Sequence, residues 1–301
     1  MAERVSFEDQ ITRNKLKSVV LIAIIFVFFI VLGYFISLVT NPDYFFFIMI
    51  LAIIFSTFYI IFSYYNSDKI ALASVRAKPA SHTEHRMLFH AVESMSLASG
   101  LPMPKVYVME SEQINAFASG RDPPHAVICV TTGALEKLNK QELEGVIAHE
   151  MSHIANFDIR FMTLTAVLVG LIAIIAEIFL KSMWYSGRDN DSKGKGGAII
   201  LLIAIIAAIL APIATQLISL AISRKREYTA DATAVKFTRY SPGLRSALEK
   251  IKHESVSSQD KKRYSSEFAP LFISDPFKKK IEGLFSTHPP IDSRIEVLKK
   301  M

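Results

Sequence analysis

Long stretches of this chain show no polar face at all. Residues 19–39, 44–65 and 198–222 carry no charge, and 162–180 carries only Glu177. Each reaches or approaches the ~20 residues that cross a hydrocarbon core as a helix. A core helix of a soluble globule would show a polar stripe over that length. The pattern predicts four hydrophobic helices. The first run is too long for the apolar part of a cleavable signal, and no small-residue cleavage site separates it from the second, so it reads as an uncleaved signal anchor. Arg13, Lys15 and Lys17 precede it, and Arg224, Lys225 and Arg226 follow the fourth run. The positive-inside rule therefore sets both flanks in the cytoplasm. The connection 40–43 has no positive charge and belongs on the far side, as does the Gly- and Ser-rich stretch 181–197.

Between the runs the periodicity changes. Residues 81–99 space Leu88, Val92 and Leu97 as a helix and end at Gly100. Residues 106–109, 114–118 and 126–131 read as short strands. Residues 141–157 are amphipathic, with Leu143, Val146, Ile147, Met151 and Ile154 on one side. An even number of crossings separates 69–160 from 223–301, so both polar regions share the cytoplasmic face. The expected organisation is an anchor and second membrane helix in 1–68, two halves of one α+β domain in 69–160 and 223–301, and a hydrophobic hairpin, 161–222, inserted between them.

Composition supports a membrane protein: 51% of residues are hydrophobic and the mean hydropathy is +0.31. The net charge of +6 suits a surface against anionic lipid. No basic cluster with interleaved aromatics is present, which argues against nucleic acid as a partner. A single cysteine, Cys129, excludes an intramolecular disulfide and, in its apolar run, reads as a small core residue.

The chemistry concentrates in His149-Glu150-Met151-Ser152-His153, an H-E-x-x-H pentapeptide on the amphipathic stretch. Residues four apart share a helix face, so two imidazoles can grip one zinc ion while Glu150 reaches the attacking water as general base. A catalytic zinc takes a third protein ligand. The extended pattern with a later histidine fails, because Asn156 and Ile159 stand at its glycine and histidine positions. Asp158, on a continuous helix, rotates away from the ligand face. Glu177 lies on the wrong side of the membrane and reads as a packed residue of the bundle. Glu227 is the better choice, with Asp231 one turn on. One of these carboxylates can ligate while the other accepts the N–H of a ligand histidine and fixes its tautomer.

In combination, Asn115-Ala116-Phe117-Ala118, the 149–153 pentapeptide, Glu227-Tyr228-Thr229-Ala230-Asp231 and Thr287-His288-Pro289-Pro290 with Arg294 resemble the HtpX-type integral membrane zinc metalloproteases, relatives of the CaaX prenyl endopeptidases. The resemblance spans nearly the whole chain. It implies a gluzincin-like peptidase domain on a helical membrane bundle, with one zinc ion per chain held by His149, His153 and Glu227. It also implies Glu150 as catalytic base and Asp231 as support for a ligand histidine. It further implies a bacterial-type plasma-membrane location and a stress-response role: cleavage of misfolded membrane proteins or unfolded polypeptides at the cytoplasmic face, beside other membrane quality-control proteases as candidate partners. By analogy with related zinc peptidases His288 is a candidate to stabilise the oxyanion, a turn histidine without chemistry being the plain alternative. Asn115, Ala116 and Phe117 are candidates to pair with an extended substrate as an exposed strand; an interior strand is the alternative. Arg294 reads as a structural salt bridge, and His82, His85, His90, His125 and His253 as surface residues.

Three rival readings fit the chain less well. An intramembrane or CaaX-type processing protease is the nearest; an intramembrane site would pair the motif with an aspartate in another hydrophobic helix, and none is present. A non-catalytic zinc-binding scaffold leaves Glu150 without a purpose. A transporter would need more charge in the runs than Glu177 supplies.

Overall fold

The structure, a computed structural model, describes residues 7–39, 42–186, 224–254, 271–273 and 289–301. It is a helix-rich mixed fold with a small sheet. Helix α1 (Phe7–Val39) and helix α2 (Phe45–Tyr65) follow the first two apolar runs, joined through the turn Pro42–Tyr44. They meet closely: a Cβ on Gly33 would stand 2.5 Å from the Ala52 Cβ. Phe29 packs edge-on against Phe55 and Tyr59. Most of α2 is otherwise exposed, with Phe46 at 77% and Phe58 at 64%. Such apolar display has no place in water and suits lipid. The segments Ile11–Tyr34 and Phe45–Tyr65 are both long and apolar enough to cross a membrane. The third run lies in α7 (Asp158–Ser186); the fourth, 198–222, lies outside the described residues.

A short helix α3 (Ser67–Ser74) leads to the sheet, β1 (Lys78–Pro79), β2 (Lys105–Met109), β3 (Ala116–Ser119) and β4 (Val127–Thr131), in the order β1-β2-β4-β3. β2 and β4 run parallel, with Val106 opposite Ile128, and β3 is antiparallel to β4, with Phe117 opposite Cys129. Helix α4 (Arg86–Ser99) starts later than the sequence spacing suggested, since 82–84 form a turn. Both faces of the sheet are covered, which is why β4 reads as an unbroken apolar run. Val106, Ile128 and Val130 join the core formed with α4 and with α6 (Lys140–Ala155). Phe117, Val127 and Cys129 join Ala71, Leu72, Met162 and Ala166 from α3 and α7.

Asn139 caps α6 in a reciprocal capping box with Glu142, after a short α5 (Thr132–Lys137). The expected amphipathic face of α6 is corrected: from Leu143 to Ile154 only Glu144 is not fully buried, because other helices cover its polar side. These are α8 (Arg224–Thr238) and α9 (Ser241–His253), with α10 (Ile291–Leu298) packed on them. The α6–α9 approach is so close that a Cβ on Gly145 would stand 2.5 Å from the Leu244 nitrogen. Ala234, Leu244, Ile251, Ile295 and Leu298 thereby share one core with Leu88 and Ile128.

The helix read through 157 is also corrected. It stops at Asn156 and turns by 85° into α7. Phe157 takes φ 57 at the elbow, a left-handed conformation that costs an L-residue about 1–2 kcal/mol. α7 then packs on α1 through Phe161, Leu164 and Leu168 against Leu21, Ile25 and Phe29.

Candidate metal centre

The two histidines of α6 project as their spacing dictates, one turn apart, and α8 lays Glu227 across them. His149 Nε2 and His153 Nε2 stand 3.3 Å apart. Glu227 Oε2 is 3.6 Å from the first, and Oε1 is 3.7 Å from the second. All three side chains are buried. The outward ring nitrogens are engaged as well. His149 Nδ1 lies 3.0 Å from Asp231 Oδ1, and His153 Nδ1 lies 3.1 Å from Asp158 Oδ2. Each carboxylate holds the N–H on Nδ1 and so turns the Nε2 lone pair toward Glu227.

Asp158 corrects an expectation. On a continuous helix it would have rotated away, but the break at Asn156 and Phe157 starts a new helix and swings its carboxylate back beneath His153. Nothing in the sequence marks the break, since neither glycine nor proline stands at 155–158.

Arg294 belongs to the site rather than to the periphery. Fully buried on α10, it donates from Nε to Asp231 Oδ2 at 2.9 Å and from Nη2 to Oδ1 at 2.7 Å. Its Nη1 donates to the Ile273 carbonyl at 3.2 Å and lies 3.7 Å from Glu227 Oε2. Burial alone would raise Asp231, but Arg294 and His149 hold it down to about 2. Burial likewise would lower His149; the Asp231 and Glu227 contacts outweigh it and raise it to about 9. A metal ion would bind His149 as the neutral ring and displace that proton.

Glu150 is buried next to the two histidines and takes a backbone hydrogen bond from Ala118 of β3. Burial raises its carboxyl above the usual range, and the neighbouring imidazoles oppose this only in part. β3 lies at the edge of the sheet, yet it is buried rather than exposed. Ala116 O accepts from Ile273 N at 3.0 Å, and Phe117 bridges to Phe272. Asn115 is likewise buried beside β4, its carbonyl taking the Thr131 N–H. His288 lies outside the described residues. Of the remaining histidines, His82, His90, His125 and His253 are exposed and His85 half-buried.

The donor set fits a metal ion. Four-coordinate zinc with bonds of about 2.0–2.1 Å needs ligand atoms about 3.3–3.4 Å apart. Here the two Nε2 atoms are 3.3 Å apart, and one ligand atom from each of His149, His153 and Glu227 lies within 4.8 Å of the others. Two imidazole nitrogens facing each other at that distance, both fixed from behind by carboxylates, are placed so that they could hold one metal ion.

Two imidazoles, a carboxylate and an adjacent glutamate on an H-E-x-x-H helix define a metalloprotease. The chain belongs to Peptidase family M48, whose family model matches residues 82–301. It is 50% identical over 251 residues to the Protease HtpX homolog of Caldanaerobacter subterraneus subsp. tengcongensis, covering 82% of this chain and 83% of that one. The Protease HtpX homolog of Dictyoglomus thermophilum is 41% identical over 297 residues, 98% of this chain and 95% of that one. Among solved structures, S. mikatae Ste24p aligns with 95% of this chain at 19% identity and a TM-score of 0.47; the chain spans 65% of its length.

Proposed function

We propose that the chain is a zinc endopeptidase that cleaves misfolded or damaged membrane proteins and unfolded polypeptides at the cytoplasmic face. The observation that carries the reading is the buried cluster of His149, His153 and Glu227, whose ligand atoms all lie within 4.8 Å of one another, with Glu150 buried alongside. His149, His153 and Glu227 hold the ion, while Asp231 and Asp158 fix the two rings. When bound, zinc polarises the scissile carbonyl and lowers the pKa of water. Glu150 takes the proton from the attacking water and returns it to the departing amine, so that protons balance over the cycle. An ordinary carboxylate would be too weak a base for this, and burial of Glu150 shifts it in the useful direction.

An extended substrate would pair with Asn115, Ala116 and Phe117 along the β3 edge, displacing the bridge to Phe272. His288 would reach the oxyanion. The shared core of residues before 160 and after 223 supports a gluzincin-like domain interrupted by a hydrophobic hairpin, with four membrane crossings in all. The basic residues beside the first and fourth runs support a cytoplasmic active site in a bacterial-type plasma membrane. A role beside other quality-control proteases follows from the substrate class.

The test uses the full chain in detergent micelles, with an unfolded soluble polypeptide and a membrane protein bearing a disordered cytoplasmic tail. Both should be cut internally, cleavage should stop with a chelator, and zinc should restore it. A zinc-loaded chain that cuts neither would overturn the proposal.

A further inference from the structure

The carboxylate that steadies His153 is itself held from the membrane side. Asp158 Oδ2 faces His153 Nδ1, while Oδ1 accepts from Asn14 Nδ2 at 2.6 Å and lies 2.9 Å from Arg226 Nε. Asn14 stands near the start of the Ile11–Tyr34 span of α1 and is buried. Its amide also donates to the Asn156 carbonyl at 3.0 Å. The next residue, Lys15, sets its ammonium 4.5 Å from the centre of the Phe157 ring. One turn of the first membrane helix therefore grips all three residues of the α6–α7 elbow, the place where Phe157 is strained.

The terminal torsion of an aspartate is broad, so a carboxylate with one partner can turn. Two donors on Oδ1 remove that freedom and aim Oδ2 at the imidazole. We propose that Asn14 is a positioning residue of the metal site. Through Asp158 it sets the direction of the His153 ring, and metal retention thereby depends on the Asn14–Asp158 hydrogen bond. The inference rests on the metalloprotease reading above. A polar side chain inside a span is commonly helix-to-helix glue. In that role Asn14 would support packing but not the metal.

The two roles separate in the full-length protein, zinc-loaded in micelles, by transfer of zinc to a chromogenic chelator. Loss of a group that orients a metal ligand typically weakens binding 10- to 100-fold; one bond further out, Asn14→Leu should weaken it about 3- to 10-fold. Asn14→Gln, which keeps the donor, should stay within about 2-fold of wild type. Leu21→Ala, which opens the α1–α7 packing without touching Asp158, should lower the melting temperature and leave zinc retention unchanged. In an Asp158→Ala background the Asn14→Leu effect should vanish, as expected when one residue acts through another. Wild-type retention in Asn14→Leu overturns the inference alone, and so does an equal loss in Leu21→Ala. A wild-type chain that binds no zinc overturns the metal reading, and this inference with it.

Discussion

At the scale of single residues, the site consists of carboxylates paired with cations or imidazoles, and the value of each lies in its partner. Asp231 is buried, touches His149, and is gripped in bidentate fashion by Arg294. Removing one member of such a pair leaves an uncompensated buried charge, at about 3–5 kcal/mol. Arg294→Ala should therefore lower the melting temperature sharply and weaken zinc retention. Arg294→Lys should rescue little, because an ammonium cannot match the two-pronged contact. Near-wild-type melting in Arg294→Ala would show that the pair contributes nothing. The H-E-x-x-H residues were legible because their chemistry sits at helical spacing within five positions. Glu227 and Asp231 were legible only as a pair of carboxylates one turn apart beyond the fourth run. Asp158 and Asn14 were not. The first was hidden by a helix break with no breaker residue, and the second by a contact between residues 144 positions apart.

At the scale of elements, α6 carries the motif and its start is tied down electrostatically. Glu142 closes the capping box, accepts from Ser246 at 2.7 Å and pairs with Lys250 at 2.6 Å. Burial pushes its carboxyl upward, but the bonds from Lys250, Ser246 and the Asn139 backbone outweigh that and leave it below the usual 4.5. A carboxyl depressed on folding stabilises the fold above its unfolded pKa and loses that contribution as pH falls through the folded value. Thermal melts taken downward from pH 7 should therefore lose stability below pH 4.5. Glu142→Gln should cost about 1–3 kcal/mol at neutral pH and flatten the acid limb. An acid limb of unchanged steepness in the variant would remove Glu142 as its source. Strands and helices of the polar regions were largely legible from their periodicity. The tight α6–α9 approach at Gly145 was not, because a glycine inside a helix does not announce what lies against it.

At the scale of the whole molecule, the proposed topology sets the site on one side of a bilayer. α1 and α2 display their apolar side chains outward, and α3 and α7 cover the sheet face opposite α6. Residues 224–254 and 289–301 close over the motif helix, and the proposed topology has 69–160 and 223–301 share one face. Cys129 is buried and its thiol pushed up by that burial, which leaves an introduced cysteine as the reactive one. With an impermeant maleimide, Leu97→Cys and His253→Cys should both label in inside-out vesicles and neither in right-side-out ones. Labelling from opposite faces would break the topology. The shared face is the expectation from counting crossings and basic flanks, and this labelling tests it. The 85° elbow that sets the motif helix across the third run was not legible in the sequence.

The central claim, that Glu150 acts as the base at a zinc held by its neighbours, is tested most directly by one paired measurement on Glu150→Gln: zinc per chain and turnover of an unfolded polypeptide. The account predicts one zinc per chain, as in wild type, with turnover reduced at least about 100-fold. Full turnover in a zinc-replete Glu150→Gln protein would contradict it.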